Sequence, residues 1–593
     1  MENEGPCILS AENQNQAQRP AAPAATPPDR RSFLGYFSAI GLGSTLFPGV
    51  LWGKVQDQKP LRVTKQMLRD AAAVSGVEFT DHQLDQVLEG VNKNIPHWNE
   101  LRQIPLDNSV APPLFFNPIV PGMKIDRIRR PFRASDPPEV SRPANLEDVA
   151  YWQIGQLAAL IRSGQVSSVE LTDMYLARIR RLNPKLLCVV TVTEALARRQ
   201  ARDADKEIAA GRYRGPLHGI PYGVKDIIAA KDYPTTWGAA PFKSRVIDHD
   251  ATVVSRLNAA GAVLIAKLST GELALDDIWF GGQTRNPWDI SMGSQGSSAG
   301  PGSATAAGLV GFSVGTETGG SIVAPSAICG VTGIRPTFGR VSRYGVMTLG
   351  WSLDKTGPMC RSVEDCALVL NAIQGPDDHD LAVQDIPFNY DSGFDIRNLR
   401  VGYLKAAFQE TRQTPQVNAN DAAALAKIRS LGFKLIEVTQ PHHANLDFAT
   451  IMYGEANAAL RDPVETEAAD LVRQDRVGSQ LSYRLMPAAE YLNAQRVRTL
   501  IMREMAQVMS EVDVYAVPFD YADYTPNPVA TAHNAVTNLT GQPCVAVPTG
   551  FDEKMHPTSI TFIGKVYGDA EMLALARAFQ NGTDWHLKHP NLG

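Results

Sequence analysis

Three serines stand at the two ends of one segment. Ser297 and Ser298 open GSSAGPGSATAAGLVGFSVGTETGGS, residues 296–321, and Ser321 closes it behind Gly319 and Gly320. A serine nucleophile needs exposure, a proton acceptor, and donors aimed at the oxyanion that forms when it attacks a carbonyl. Glycine costs backbone entropy, so a run this rich in it brings backbone close to something or adopts dihedrals other residues avoid. On one reading, Thr318, Gly319 and Gly320 curl their amides towards a carbonyl held by Ser321. The plainer reading is a tight turn ahead of the strand-like Ile322-Val323-Ala324-Pro325.

The proton acceptor is the next requirement. Ser321 is not framed as the G-x-S-x-G elbow of a Ser-His-Asp hydrolase. Among the histidines, His218 and His533 have motif-like neighbours, but lone histidines are more often structural. A lysine base must be neutral; lysine titrates near 10.4 in water, and burial lowers that value. Lys225 lies in LHGIPYGVKDIIAA, residues 217–230, where Asp226 is the other charge. Such a lysine is either a buried, neutral base or one whose stem is buried while its head reaches water.

These residues need a scaffold. Leu157, Leu160 and Ile161, then Leu171, Met174, Tyr175 and Ile179, form two apolar stripes of helical spacing within 147–204. LLCVVTV (186–192), IPYGVKDIIA (220–229), AGAVLIAKL (260–268), VYAVPF (514–519), PCVAVPT (543–549) and SITFIGK (559–565) read as strands. Helices are expected at 420–431, 488–510 and 574–581. Strands separated by helices predict an α/β fold, and the short late connections predict a mixed sheet. Residues 64–98 read as two amphipathic helices, the second capped by Thr80, and 100–147 as a Pro-rich connector.

Three blocks then carry a resemblance. Residues 295–346, QGSSAGPGSATAAGLVGFSVGTETGGSIVAPSAICGVTGIRPTFGRVSRYGV, the segment GPLHGIPYGVKDII, and TNLTGQPCVAVPTGF at 537–551 resemble the amidase signature family of serine hydrolases. The resemblance spans roughly residues 147–585. It implies a mixed central β-sheet covered by helices on both faces. It places the catalytic lysine on Lys225, the bridging serine, after a cis peptide bond, on Ser297, and the nucleophile on Ser321. Ser298 is the supporting serine, and the oxyanion amides fall on Thr318, Gly319, Gly320 and Ser321. Many members read Gly-Gly-Ser-Ser-Gly-Gly-Ser where this chain has Gln295-Gly296-Ser297-Ser298-Ala299-Gly300-Pro301; both serines are kept.

The activity implied is hydrolysis of a linear carboxamide through an acyl-enzyme, with esters and carbamates accepted where they fit. No cofactor and no metal is expected. One alternative is the amidase subunit of a glutamine-dependent tRNA amidotransferase. That subunit holds glutamine with an acidic residue ahead of its Asn-Leu-x-Gly segment, and here Thr531 precedes Asn538-Leu539-Thr540-Gly541. Another is a catalytically silent binding protein, against which the unchanged lysine and serines speak. Trp279, Phe280, Trp288 and Tyr344 either line an acyl pocket or fill core. Charges at Glu465, Glu467, Arg473 and Arg476 read as a solvated helical face.

Composition bounds the rest. The 593 residues are 44% apolar and 20% charged, with a formal net charge of -5, and no basic stripe points to nucleic acid. Cys7, Cys188, Cys329, Cys360, Cys366 and Cys544 form no CxxC pair. Residues 1–54 read as a disordered leader, and Arg30-Arg31 before an apolar Gly-containing stretch resembles a twin-arginine export signal. The expected location is the periplasm or beyond, with the cytoplasm as alternative. An arm at 55–146, a catalytic domain at 147–585 and a tail at 586–593 complete the division. A homodimer is left open, and membrane contact requires that the N-terminal segment be retained.

A fluorophosphonate is expected to add once to the wild-type chain and not to Ser321→Ala, as read by intact-protein mass spectrometry. An adduct surviving in the variant removes Ser321 from the nucleophile's place.

Overall fold

The computed structural model describes residues 63–76, 81, 84, 88, 116–412, 414–444, 448–461, 471–472, 488–519 and 527–592. The leader, Thr80, Glu465, Glu467, Arg473 and Arg476 lie outside them. The chain divides into two compact units, Met1–Ile104 and Pro105–Gly593. In the first, helix Lys65–Val74 starts where Thr64 Oγ1 accepts from Met67 N at 3.3 Å, an N-cap. The Pro-rich stretch from 105 belongs with the second unit.

That unit is built on strands β1 (Val189–Val192), β2 (Pro221–Lys225), β3 (Val263–Leu268), β4 (Ile278–Trp279), β5 (Gly282–Gln283), β6 (Phe312–Glu317), β7 (Thr332–Arg335), β8 (Lys355–Cys360), β9 (Val401–Leu404), β10 (Ile436–Val438), β11 (Val514–Pro518), β12 (Cys544–Phe551) and β13 (Pro557–Gly564). β4 and β5 pair as a separate hairpin. The other 11 strands form one sheet in the order β1-β3-β2-β6-β8-β7-β12-β13-β11-β9-β10. Pairs β2–β3, β2–β6, β9–β10 and β9–β11 are parallel, and the others antiparallel. The mixed α/β sheet expected from the late short loops is the sheet observed.

Alternation along the strands shows two buried faces. On β11, Val514 and Ala516 join one hydrophobic cluster while Tyr515 and Val517 join another. β12 repeats this, with Val545 and Val547 on one face and Cys544 and Ala546 on the other. Helices Ile154–Arg162, Ser168–Leu186, Val363–Ile373 and Asp569–Asn581 contribute to the first cluster. Helices Val323–Cys329, Ala488–Glu511 and Pro528–Thr540 contribute to the second. The five described cysteines are free and buried.

Two expectations are corrected. The run 186–192 begins inside a helix: Ser168–Leu186 continues to Leu186, Leu187 leaves it at φ 51°, and the strand starts at Val189. Ile322-Val323-Ala324-Pro325 is not strand but the entry to helix Val323–Cys329. The Glu317 carboxylate accepts from Ile322 N at 2.9 Å and Val323 N at 3.0 Å, taking the place of an N-cap side chain, and Pro325 is tolerated in a first turn.

The last helix is tied to the sheet by a buried carboxylate. Asp569 accepts from Thr337 N at 2.9 Å, Thr337 Oγ1 at 2.7 Å and Arg340 Nε at 2.8 Å. Asp569→Ala leaves the Arg340 guanidinium buried and without its carboxylate. It is expected to cost about 3–5 kcal/mol, measured as a fall in the urea midpoint; a midpoint unchanged from wild type rejects this role.

Candidate active site

β2 carries Lys225 as its last residue, deep between β3 and β6. The strand fits there because Gly223 faces Leu268; a Cβ at that position would lie 2.5 Å from Leu268 Cδ1. Lys225 is fully buried, so its head does not reach water. Its Nζ donates to Ser297 Oγ at 2.7 Å and to Thr316 Oγ1 at 2.9 Å. Burial pushes its pKa down to about 7, against the pull of Asp354 and Glu317. Neither carboxylate bonds the amine; both engage other groups.

Ser297 follows a cis peptide bond from Gly296, as the resemblance requires. Gly296 itself admits no side chain, since a Cβ would lie 1.8 Å from the Asp276 carbonyl oxygen. Ser298 precedes helix Ala299–Ala306 and locks it to β6: its Oγ donates to Thr316 O at 2.9 Å and accepts from Thr316 N at 3.1 Å. Ser298 N donates to Ser321 O at 3.1 Å. The two ends of the Gly-rich segment are thus joined directly. Ser321 is partly open to solvent, and its hydroxyl makes no hydrogen bond among the described residues.

The carbonyls around Ser321 are all tied back into the protein. Gly319 O accepts from Asn534 Nδ2 at 3.3 Å, Gly320 O from Ala324 N at 2.8 Å, and Ser321 O from Ser298 N at 3.1 Å. A trans peptide sets C=O and N–H on opposite sides, so the N–H groups of Gly320 and Ser321 face away from these anchors. Gly320 sits at φ 135°, where a side chain is strained. Among the described residues neither amide has a partner to leave, the arrangement of fixed donors an oxyanion needs.

Glu317 holds the segment from below. One oxygen takes the amides of Ile322 and Val323; the other accepts from Arg335 Nη1 at 2.8 Å and Asn538 Nδ2 at 3.0 Å. Arg335 also donates to Thr537 Oγ1 at 2.8 Å and Asn534 Oδ1 at 3.1 Å. Arg335 and Lys355 hold the Glu317 carboxyl below its usual range despite burial. Thr318 Oγ1 donates to Asp354 at 2.6 Å.

Among the described residues two other lysines are also buried but differently partnered. Lys267 donates to Asp226 at 2.8 Å, Thr235 Oγ1 at 2.9 Å and Pro234 O at 3.0 Å. Lys355 donates to Asn538 Oδ1 at 2.7 Å, and burial drives its pKa well down. Lys225 is the one of the three that meets a serine of the segment.

The alternative bases and pocket residues are engaged elsewhere. His218 lies 3.3 Å from Glu207 and accepts from Arg214 N. His533 Nε2 meets Tyr515 OH at 2.7 Å, and burial pushes its pKa down to about 3. Trp279 Nε1 donates to Leu187 O and its ring meets Phe280; Trp288 Nε1 donates to Cys329 O; Tyr344 stacks on His379. Trp279 is buried, and Phe280, Trp288 and Tyr344 are partly exposed. Sequence reasoning does not find Thr316, Glu317, Arg335 and Asp354. A signal exists for the second: Glu317 is the only charged residue between Gly296 and Arg335.

The amidase family model matches residues 170–573. The chain belongs to the amidase family. Among curated relatives, this amidase is 37% identical to the A-type subunit of glutamyl-tRNA(Gln) amidotransferase from Roseiflexus castenholzii, over 74% of the chain and 97% of the relative. It is 36% identical to the corresponding protein of Methylococcus capsulatus, over 74% and 98%. Among solved structures, it is 30% identical to the native peptide amidase of Stenotrophomonas maltophilia at a TM-score of 0.65, covering 74% of this chain and 98% of that one.

With its pKa near 7, Lys225 is neutral above that pH and protonated below it. The rate of Ser321 acylation is expected to rise with pH through about 7 and then level. Lys225→Ala is expected to cost at least about 10²-fold at neutral pH while leaving the circular-dichroism spectrum unchanged. Wild-type turnover in the variant refutes the base.

Proposed function

We propose that this amidase cleaves a carboxamide C–N bond at Ser321, with Lys225 and Ser297 as its proton relay. The observation that carries this reading is the buried 2.7 Å contact between Lys225 Nζ and Ser297 Oγ. Neutral Lys225 accepts the Ser297 proton while Ser297 accepts the proton of Ser321, whose Oγ attacks the carbonyl carbon. The N–H groups of Gly320 and Ser321 take the oxyanion. Collapse breaks the C–N bond as Lys225 returns its proton through Ser297 to the departing nitrogen. Water then attacks the Ser321 ester, its proton passes along the same relay, and Ser321 Oγ is reprotonated as the acid leaves. A poor nitrogen leaving group gains most from an acid poised in this way.

Among amides, the curated relatives favour glutamine, because the match to these amidotransferase proteins runs over almost the whole of each relative. That weight goes to the alternative named from sequence, above the stand-alone amidase. It also bears against the expectation that nucleic acid plays no part, since those relatives are named for a tRNA substrate. Two observations favour the stand-alone reading. Thr531 Oγ1 donates to Asn527 O at 3.3 Å and supplies no carboxylate for a glutamine ammonium, and the peptide amidase fold matches 74% of the chain, as much as the amidotransferase relatives do. Export through the Arg30-Arg31 segment belongs with this second reading.

Ammonia release measured on the purified chain separates the two. An amidotransferase component is expected to hydrolyse glutamine weakly by itself and at least about tenfold faster when its partner proteins and tRNA are added. A stand-alone amidase is expected to release ammonia from peptide C-terminal amides without any addition. Failure of glutamine, peptide amides and aryl amides alike rejects amide hydrolysis.

A further inference from the structure

Asp354 lies just before β8, beneath the oxyanion segment. Its Oδ1 accepts from Thr318 Oγ1 at 2.6 Å, and its Oδ2 accepts from Leu349 N at 2.8 Å and Gly350 N at 3.0 Å. It has no ion pair of its own among the described residues: the nearby Arg343 is engaged by Asp380 at 2.7 Å. Thr316, Thr318, Asp354 and Thr356 share the wall of a cavity of about 20 Å³. That is room for about one water. Thr356 Oγ1 is buried in this wall without a protein partner among the described residues. Thr316 is also the second hydroxyl held by Lys225. The cavity sets the carboxylate beside the Thr316 hydroxyl that Lys225 holds, and Thr318 ties it to the residue just ahead of the peptides that bear the oxyanion amides.

We propose that Asp354 is a positioning residue for the amidase reaction, fixing the oxyanion segment through Thr318 and setting the charge balance of Lys225 across the Thr316 cavity. This rests on the reading of Lys225 and Ser321 given above. The other charges on this side of the sheet are committed to partners. Glu317 is held by Arg335, and Lys355 by Asn538. On the far side Asp226 is held by Lys267. Asp354 is the first of the carboxylates that pull the Lys225 pKa back up against burial, ahead of Glu317. Its own carboxyl is raised by burial, while Thr318, Gly350, Leu349 and Arg343 oppose the rise.

The two links give separable signatures. Asp354→Asn removes the charge in the same shape. Thr318→Val removes the tether and keeps the charge. The measurement is the second-order rate of Ser321 phosphonylation by a fluorophosphonate against pH, on the full chain. In Asp354→Asn the acidic limb is expected about half a pH unit or more below that of the wild type. The sign follows from the charge: without the carboxylate, protonated Lys225 is less stable and gives up its proton at lower pH. In Thr318→Val the limb is expected to stay in place while the plateau falls about 10- to 100-fold. A folded Asp354→Asn with an unmoved limb overturns the proposal, as does Thr318→Val with an unmoved plateau. Should Asp354→Asn not fold, the Thr318→Val plateau decides alone. A wild type that takes no fluorophosphonate refutes instead the assignment of Ser321, a result distinct from either variant's.

Discussion

Among the described residues no carboxylate touches Lys225, so burial inside the sheet loosens the hold of this amine on its proton. Its two partners are hydroxyls, on Ser297 and Thr316. Desolvation then removes most of the preference for the charged form, and lysine becomes usable as a base. The comparison with Lys267 shows how small the difference is. That lysine is one strand away and just as buried, but Asp226 sits 2.8 Å from its nitrogen and favours the ion. The identity of one neighbour decides whether a buried lysine is a structural ion pair or a proton acceptor.

Keeping acids off Lys225 leaves those acids free to fix geometry. Glu317 is the last residue of β6 and sits within the same buried layer, yet its four hydrogen bonds go to two amides, Arg335 and Asn538. The carboxylate thereby converts a chain reversal into the start of a helix and fixes where Ser321 emerges. Breaking such a pair from one side leaves a buried charge without a partner, so the site and the fold are secured by the same bonds. The sheet order explains why one segment suffices. β2 and β6 are neighbours, so the lysine at the end of one and the serines flanking the other converge without a long-range loop.

Much of this is legible in the sequence. Runs such as AGAVLIAKL and PCVAVPT are legible as buried strands because short apolar stretches with Val and Ile dominate them, and the mixed sheet follows from their spacing. Lys225 is legible as an anomaly, a charge inside an apolar strand. Ser297, Ser298 and Ser321 are legible through the motif. β6 is not, because FSVGTE has too few large apolar residues to read as a strand, although the structure buries all six. The entry to helix Val323–Cys329 reads as strand because β-branched Ile322 and Val323 favour strand locally, and a capping carboxylate five residues away overrides them. Asp354 is invisible for a simpler reason: a lone aspartate in WSLDKTGP carries no spacing that marks it.

The buried thiols have a consequence for where such an enzyme can work. Burial drives Cys188 and Cys544 up to about 12, so almost no thiolate exists at neutral pH, and no disulfide joins the described cysteines. Reactivity towards oxidants and disulfide exchange follows the thiolate. Among the described residues glutathione therefore has no disulfide to reduce, and the buried thiols of Cys188 and Cys544 offer peroxide little thiolate. A thiol-directed electrophile therefore finds Cys188 and Cys544 unready to react, and no disulfide among the described cysteines contributes to the fold.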